Sequence, residues 1–182
     1  YHNFAEMTQK LKKLSSKNPE LVQLKSHGKT LGGRDVWSVT VAKGDAAAKP
    51  AVLIVGGVEG ADVAGSEMAL SFVESLVENY GQVDSVTQLL NNTTFYVFPR
   101  VNPDATEAFW NPIKYERTYN NRSMDLDYDG EENEDGFDDL NGDGIISQMR
   151  VKDLEGTHII SKNDPRIMVK ADVKKGERGE YK

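Results

Sequence analysis

Apolar residues recur at helical spacing near the start of the chain, which predicts an amphipathic first helix. The helix is expected to end before Asn18-Pro19, because the residue that precedes a proline disfavours helical conformation. Two stretches of alternating polar and apolar residues follow, at 21–26 and 35–42, and they predict a hairpin with a longer loop at 28–33. The apolar positions of the helix are Phe4, Met7, Leu11 and Leu14.

A short apolar run at 52–55 predicts a strand that is buried on both faces, and Gly56-Gly57 ends it. Helical spacing of apolar residues resumes from Ala64 and predicts a helix that ends near Tyr80-Gly81. The turn between strand and helix carries two acids, Glu59 and Asp62. Because open α/β sheets place their chemistry at the carboxyl ends of the strands, this turn is the candidate active-site position.

The second half of the chain has a clear pattern only at its start. Residues 85–90 predict a short helix, and the β-branched and aromatic run at 93–99 predicts a strand. Asn102-Pro103-Asp104 then has the composition of a turn. A short strand is expected at 145–151, and 162–182 is charged without a clear apolar period. The fold class predicted from these elements is α/β, with a mixed twisted sheet flanked by helices.

Composition narrows the function classes. The 182 residues suffice for one domain, no cysteine is present for disulfides or thiolate sites, and no apolar run could span a membrane. The sequence has no cluster of basic residues of the kind that would indicate nucleic-acid binding. The net charge of −7 is local, because ten acids and no Lys or Arg lie between Asp125 and Asp143. Such a concentration of acids indicates bound cations.

The acidic stretch contains a repeated calcium-loop pattern, in which alternate oxygen ligands precede a glycine that permits a sharp turn. Neither copy has an acid at its twelfth position, where Gly136 and Arg150 stand, so further ligands such as Asn133 and Asp135 are required. We interpret the stretch as two fused structural calcium sites; a solvated acidic loop is the alternative. The first copy comprises Asp125, Asp127, Asp129 and Gly130; the second comprises Asp139, Asn141, Asp143 and Gly144.

The order of several motifs resembles that of a known family. The first motif consists of Gly28, four further residues and Gly33-Arg34-Asp35, and it precedes a strand. In the second motif a strand ends in Gly-Gly before a helix, and in the third a strand ends in Pro-x-x-Asn-Pro-Asp at 99–104. In that order and spacing the chain resembles the zinc carboxypeptidase family (carboxypeptidase A/B-like metallopeptidases), and within it bacterial members with a calcium-loop insertion. The resemblance covers roughly residues 4–150. It implies a single carboxypeptidase-like domain over 1–182, incomplete at its C-terminus, with a calcium-binding insertion at 123–150.

The resemblance also assigns site positions. The family's first zinc motif, His-x-x-Glu, falls on Glu59 and Asp62, so both ligand positions are substituted. Two carboxylates suit calcium, magnesium or manganese better than zinc, and zinc affinity is expected to fall by orders of magnitude. Asp62 has a second interpretation as the cap of the following helix. Arg117 matches the arginine that polarises the scissile carbonyl, or else forms a structural ion pair. His158 lies short of the family's third ligand position.

The resemblance implies hydrolysis of C-terminal peptide bonds, with a peptide or protein C-terminus as partner. The substituted zinc positions favour a degraded site, and a non-catalytic calcium-stabilised peptide-binding or scaffold module is the alternative. Calcium rather than zinc is the expected cofactor. Half a mixed sheet would leave an open edge and an apolar face, so the remainder of the domain or a second chain is expected to complete the fold. Calcium loops of this kind favour an extracellular or periplasmic location.

Overall fold

The computed structural model describes residues 1–112, 119–125, 128–132, 139, 142–144 and 150–182. The chain divides into two compact units, 1–145 and 146–182. The organisation predicted from sequence, one domain with an insertion at 123–150, stays a prediction.

Unit 1 contains four α-helices and four strands within its described residues. The helices are α1 (Phe4–Lys17), α2 (Val63–Asn79), α3 (Asp84–Asn92) and α4 (Pro103–Glu107). The strands are β1 (Val22–Lys29), β2 (Asp35–Val41), β3 (Ala51–Val55) and β4 (Thr94–Phe98). Most of these bounds lie within two residues of those that periodicity predicts.

The four strands form one sheet in the order β1-β2-β4-β3. β2 pairs antiparallel with both β1 and β4, whereas β3 pairs parallel with β4. The helix-containing crossover from β3 through α2 and α3 permits this parallel pairing. The sheet is therefore mixed, as predicted, and β3 and β4 end at the same edge.

α1 and α2 bury one face of the sheet. Met7 and Leu11 of α1 pack with Leu70 and Val73 of α2 against apolar side chains of β2 and β4. The ring of Phe72 meets that of Phe95 edge-on, with centroids 5.5 Å apart. The sheet residues of this core include Val39, Val41, Phe95 and Val97, all of which point to the same face in the observed register.

Two predictions about unit 1 are wrong. β3 was expected to be buried on both faces, but Leu53 is 64% exposed and Val55 46% exposed, because β4 is its one partner strand among the described residues. Asn102-Pro103-Asp104 was expected to form a turn, but it begins α4. The Asn102 side chain accepts from the Ala105 N–H and Pro103 occupies the first helical turn, where its fixed φ is favourable.

Unit 2 has strands that its sequence did not predict. β5 (His158–Ile160) and β6 (Met168–Lys170) pair antiparallel, and Tyr181 bridges to His158 and Lys152. These strands have three residues each, which is too short for an alternation of apolar and polar positions to be recognised in the sequence. The strand predicted at 145–151 lies mostly outside the described residues. Across the described ranges, no helix has the length and apolar character that a membrane crossing requires.

Candidate active site at the carboxyl end of the sheet

The turn after β3 is held to the end of β4 by backbone hydrogen bonds. Gly56 N–H donates to Phe98 O (2.8 Å), and Val101 N–H and Asn102 N–H donate to the carbonyls of Gly56 (3.1 Å) and Gly57 (3.0 Å). Gly57 has φ +58°, in the left-handed region that favours glycine. The two strand ends thus form one frame beneath the candidate site.

Glu59 and Asp62 both lie exposed in this turn. Asp62 is the N-cap of α2, and its Oδ1 accepts from Gly65 N–H at 2.8 Å. A side chain at position 65 would collide with the Asp62 carboxylate, so Gly65 makes this cap possible. The capping interpretation of Asp62 therefore describes its observed contact, and the metal-ligand interpretation of Glu59 and Asp62 stays a prediction.

These two acids make a poor zinc site on their own. Catalytic zinc uses three protein ligands, usually including histidine, plus an open water position. Glu59 and Asp62 supply two carboxylates, one of which already caps a helix. Within the part of the chain that the structure describes, no group of three or more His, Asp or Glu side chains is arranged to hold a metal ion.

Arg100 is buried directly beneath the turn, at 4% exposure. Its Nε donates to Ser66 Oγ of α2 and its Nη2 to the carbonyl of His2, both at 2.9 Å. Among the described residues its Nη1 has no hydrogen-bond partner, and its Cζ lies 5.5 Å from the ring centroid of Trp110. Burial lowers the pKa of Arg100, while the carboxylate of Glu67 opposes that shift. Sequence patterns did not single out Arg100, because its partners lie far along the chain.

Glu67 attaches the N-terminal segment to α2. It accepts from His2 N–H at 2.9 Å, and its second oxygen lies 2.6 Å from His2 Nδ1. Burial raises the pKa of Glu67, but the two contacts with His2 outweigh burial and hold the pKa below its usual value. His2 therefore ties the N-terminal segment to α2 through both its backbone N–H and its ring.

Asp104 explains why the glycine-rich loop and the Asn-Pro-Asp segment occur together. Its side chain is 1% exposed, and it accepts from Thr30 Oγ1 (2.8 Å), Gly32 N–H (2.9 Å) and Arg34 Nη1 (2.9 Å). A Cβ on Gly32 would collide with this carboxylate. We call this cluster of Asp104, Thr30, Gly32 and Arg34 the Asp104 latch; it fixes the β1–β2 loop against α4.

In both predicted calcium loops the first carboxylate accepts a hydrogen bond from the N–H of the glycine five residues later. The Asp125 carboxylate accepts from the N–H groups of Tyr128 (2.6 Å) and Gly130 (3.0 Å). The Asp139 carboxylate accepts from Asp143 N–H (3.2 Å) and Gly144 N–H (2.7 Å).

Of the other predicted calcium ligands, Asp129 accepts from Glu131 N–H at 2.8 Å. Asp143 is also described, through its N–H contact to Asp139. Several predicted site residues lie outside the described residues: Arg117, Asp127, Asn133, Asp135 and Asn141.

The remaining histidines have local contacts. His27 is exposed on β1, with Nε2 2.7 Å from Ser38 Oγ and its ring beside Phe98. His158 lies in β5 with Nδ1 3.0 Å from Thr157 Oγ1. Among the described residues, neither imidazole belongs to a group of three or more potential metal ligands.

Comparison with known proteins places these features in a family. The family model for zinc carboxypeptidase matches residues 7–156. Carboxypeptidase D of Drosophila melanogaster is 34% identical over 110 residues, which are 59% of this chain and 8% of that protein. Carboxypeptidase M of Mus musculus is 28% identical over 135 residues, which are 70% of this chain and 30% of that protein. The chain thus spans less than a third of these relatives.

Solved structures agree with the sequence match. The crystal structure of thrombin activatable fibrinolysis inhibitor superposes with a TM-score of 0.62 at 26% identity, over 70% of this chain and 31% of that chain. Carboxypeptidase A from Helicoverpa armigera has the same fold, with a TM-score of 0.56 at 24% identity, over 64% of this chain and 28% of that chain. With the family model matched across most of its length, this chain belongs to the zinc carboxypeptidase family.

Proposed function

We propose that this chain is a carboxypeptidase-type domain that recognises peptide C-termini and does not sustain the zinc-dependent hydrolysis of its family. The observation that carries the proposal is the substituted zinc motif, in which Asp62 caps α2 and Glu59 stands where an imidazole is required. Without imidazole ligands the site does not retain zinc, and without zinc the pKa of the attacking water is not lowered to near neutrality. A non-catalytic scaffold domain is the second candidate.

Peptide C-termini are proposed as partners because the family name describes enzymes that act there. Arg117, at the position of the family's carbonyl-polarising arginine, is proposed to bind a peptide carbonyl oxygen, since a guanidinium offers paired N–H donors and a permanent charge. The hydrogen bonds that join the ends of β3 and β4, together with the buried Arg100, support this proposal because they make the strand ends beside the turn rigid.

A measurement of zinc binding distinguishes a degraded zinc site from an active one. We expect the purified chain to contain well below one equivalent of zinc, and to release no C-terminal residue from peptides of varied C-terminal sequence. Restoring the motif with Glu59→His and Asp62→Glu is expected to raise zinc affinity by at least about tenfold, because even supporting residues of a metal site change affinity by that factor. Metal analysis, a chelator competition and a peptide hydrolysis assay measure these quantities.

The matched control is Glu78→His, which adds the same imidazole at an exposed position of α2. This variant should leave zinc affinity unchanged. One equivalent of zinc together with turnover in the unsubstituted chain would overturn the proposal.

Calcium is proposed to order the acidic insertion at 123–150, and location outside the cytoplasm is proposed with it. Support comes from Asp125 and Asp139, because each carboxylate accepts a hydrogen bond from the backbone N–H of the glycine five residues later. Both glycines have positive φ, +100° at Gly130 and +83° at Gly144, as the sharp turn of a calcium loop requires.

We expect the chain to bind two calcium ions, with dissociation constants on the order of 0.1–1 mM as in extracellular calcium modules. Isothermal titration measures the stoichiometry, and the combined variant Asp125→Ala, Asp139→Ala should lose the binding heat. Removing two exposed acids elsewhere, Glu78→Ala and Asp84→Ala, is the control and should retain it. Absence of heat at millimolar calcium in the unsubstituted chain would exclude these sites.

A further inference from the structure

Two further segments of unit 2 pair with its strands. β6 pairs with β5, and β5 pairs in turn with the segment at 180–182, where His158 N–H donates to Tyr181 O at 3.0 Å. The segment at 180–182 is joined to the segment at 151–153 by two backbone hydrogen bonds of 3.2 and 3.0 Å at its end. The order across unit 2 is therefore β6, β5, 180–182 and 151–153.

One row of side chains crosses these four segments on a single face. Lys170 lies opposite His158 in the pairing of β6 with β5. Tyr181 lies opposite both His158 and Lys152 in its two bridges. Directly opposed residues of an antiparallel pair place their side chains on the same face, with Cβ atoms about 4.5–5.5 Å apart. Arg150 reaches this face too, since its Cζ lies 5.7 Å from the ring centroid of Tyr181. We call Lys152, Tyr181, His158 and Lys170 the cationic row.

Most acids of unit 2 are paired with cations outside the cationic row. Nine Lys or Arg and six Asp or Glu lie within 146–182. Asp153 and Glu180 are sequence neighbours of row residues, so they alternate to the opposite face, where Asp153 pairs with Lys182 at 2.8 Å. Lys152 and Lys170 are exposed and form no ion pair with any described residue. The row is therefore a surface of uncompensated positive charge. The cations that do form ion pairs in unit 2 are Lys162, Arg166, Lys175 and Lys182.

We propose that the cationic row binds an acidic peptide segment in extended conformation, with carboxylates on alternate residues. Neighbouring strands lie about 4.8 Å apart, so three intervals separate the backbones of Lys152 and Lys170 by about 14 Å. An extended peptide rises about 3.4 Å per residue, so carboxylates four residues apart are separated by nearly the same distance. The two lysines contact these outer carboxylates. The Tyr181 hydroxyl and the His158 ring donate hydrogen bonds to the carboxylate between them.

The cationic row fits a nucleic acid less well than an acidic peptide. Single-stranded nucleic acids bind through bases that stack on exposed aromatic rings. The tyrosine of the row is half-buried and has the guanidinium of Arg150 over its ring. The row lies entirely within unit 2 and shares no residue with the proposed zinc or calcium sites, so it is separate from the function proposed above.

A peptide of sequence Ser-Glu-Thr-Glu-Thr-Glu-Ser, acetylated and amidated at its ends, tests the row. The blocked C-terminus keeps this peptide from any site for free C-termini, so its result is independent of the proposed function. We expect backbone amide resonances of the row to shift on NMR titration and to saturate near about 1 mM peptide at low salt, because exposed ion pairs are individually weak. Added salt should weaken the binding. The control peptide Ser-Thr-Glu-Glu-Glu-Thr-Ser has the same composition with contiguous acids, and it should bind at least about threefold more weakly.

Variants of the chain identify the cations that bind the peptide. The combined variant Lys152→Ala, Lys170→Ala should weaken binding by about fivefold, since each exposed ion pair contributes little by itself. Lys162→Ala, Lys175→Ala is the matched control, because it removes the same charge from cations outside the row. This control should change the dissociation constant by less than about twofold. Circular dichroism verifies that each variant is folded.

Four results would contradict the proposal. In the first, the alternating peptide produces no saturable shifts in the row; in the second, the two combined variants weaken binding equally; in the third, the contiguous peptide binds as tightly as the alternating one. In the fourth, a single-stranded oligonucleotide of equal charge displaces the peptide at a lower concentration than the peptide itself requires, which would assign the row to nucleic acid. Salt-sensitive self-association that Lys152→Ala, Lys170→Ala abolishes would likewise replace the peptide with the acidic stretch of a second copy.

Discussion

Replacing Asp104 with asparagine is expected to lower the free energy of unfolding of unit 1 by roughly 2–3 kcal/mol, which is the scale of hydrogen bonds to a buried charged group. Asparagine keeps one carbonyl oxygen for Thr30 and Arg34, but its amide nitrogen then faces the N–H of Gly32, which is also a donor. The change also leaves Arg34 without its counter-charge, a smaller effect because Arg34 is 30% exposed. Urea denaturation followed by circular dichroism measures the loss.

The control for Asp104→Asn is Glu74→Gln, which removes a surface ion pair with Lys10 and should cost well under about 1 kcal/mol. The effect of Asp104 should also depend on pH in a defined direction. Burial raises the pKa of Asp104, but the hydrogen bonds from Gly32, Thr30 and Arg34 outweigh burial, so the folded-state pKa lies below its usual value.

Because its folded-state pKa is lowered, the Asp104 carboxylate stabilises the fold fully above the unfolded-state pKa, at about 3.9. This contribution disappears as the pH falls through the lower pKa of the folded state. The difference in stability between the unsubstituted chain and Asp104→Asn should therefore be constant near neutrality and shrink below about pH 4. A difference that grows on acidification would contradict this account of the Asp104 latch.

Replacing Gly56 with alanine is expected to cost about 3 kcal/mol, at the upper end of the penalty for overpacking. A Cβ at this position would lie 2.8 Å from the carbonyl oxygens of both Gly65 and Pro99, and 3.0 Å from Ala69 Cβ. Because two of these three neighbours are backbone atoms of α2 and of the segment after β4, no side-chain rotation relieves the clash. Thermal or urea unfolding measures the loss.

Gly81→Asn provides the control for Gly56→Ala. Gly81 has φ +77°, and no atom of the described residues lies within 4 Å of the position that a Cβ would occupy there. Asparagine tolerates that backbone conformation, so the loss should stay below about 1 kcal/mol. Adding Ala69→Gly to Gly56→Ala should restore little stability. Full recovery would mean that the Ala69 methyl group, and not the two carbonyl oxygens, limits the space at position 56.

Local patterns in the sequence were sufficient for most helices and strands of unit 1. The helical spacing of Met7 and Leu11 and the β-branched run of β4 depend on neighbours a few residues away, so their elements can be read directly. The burial of β3 was mispredicted because it depends on which strands flank it, and that information is not local. Asn102-Pro103 illustrates a different difficulty, since the same residue types begin turns and helices.

The candidate site could be located but not fully described from sequence. The strand, the two glycines and the helix correctly placed Glu59 and Asp62 in a turn between β3 and α2. The residues that support this turn were missed, because Arg100 and Asp104 have partners at sequence separations of 98 and 70 residues. Contacts between residues so far apart leave no periodic pattern in the sequence. The motif order around 28–35 and 99–104 was the one indication that these segments meet.

Arg100 also has a consequence for the order in which the fold forms. Its hydrogen bond to the carbonyl of His2 spans 98 residues, and the loop that this contact closes contains the whole four-stranded sheet. During synthesis the segment at 1–3 leaves the ribosome well before Arg100 and lacks this partner until Arg100 follows. The segment is therefore expected to dock only after β4 has entered the sheet. The first residues to be synthesised would thus be added to the support beneath the candidate site after the sheet has formed.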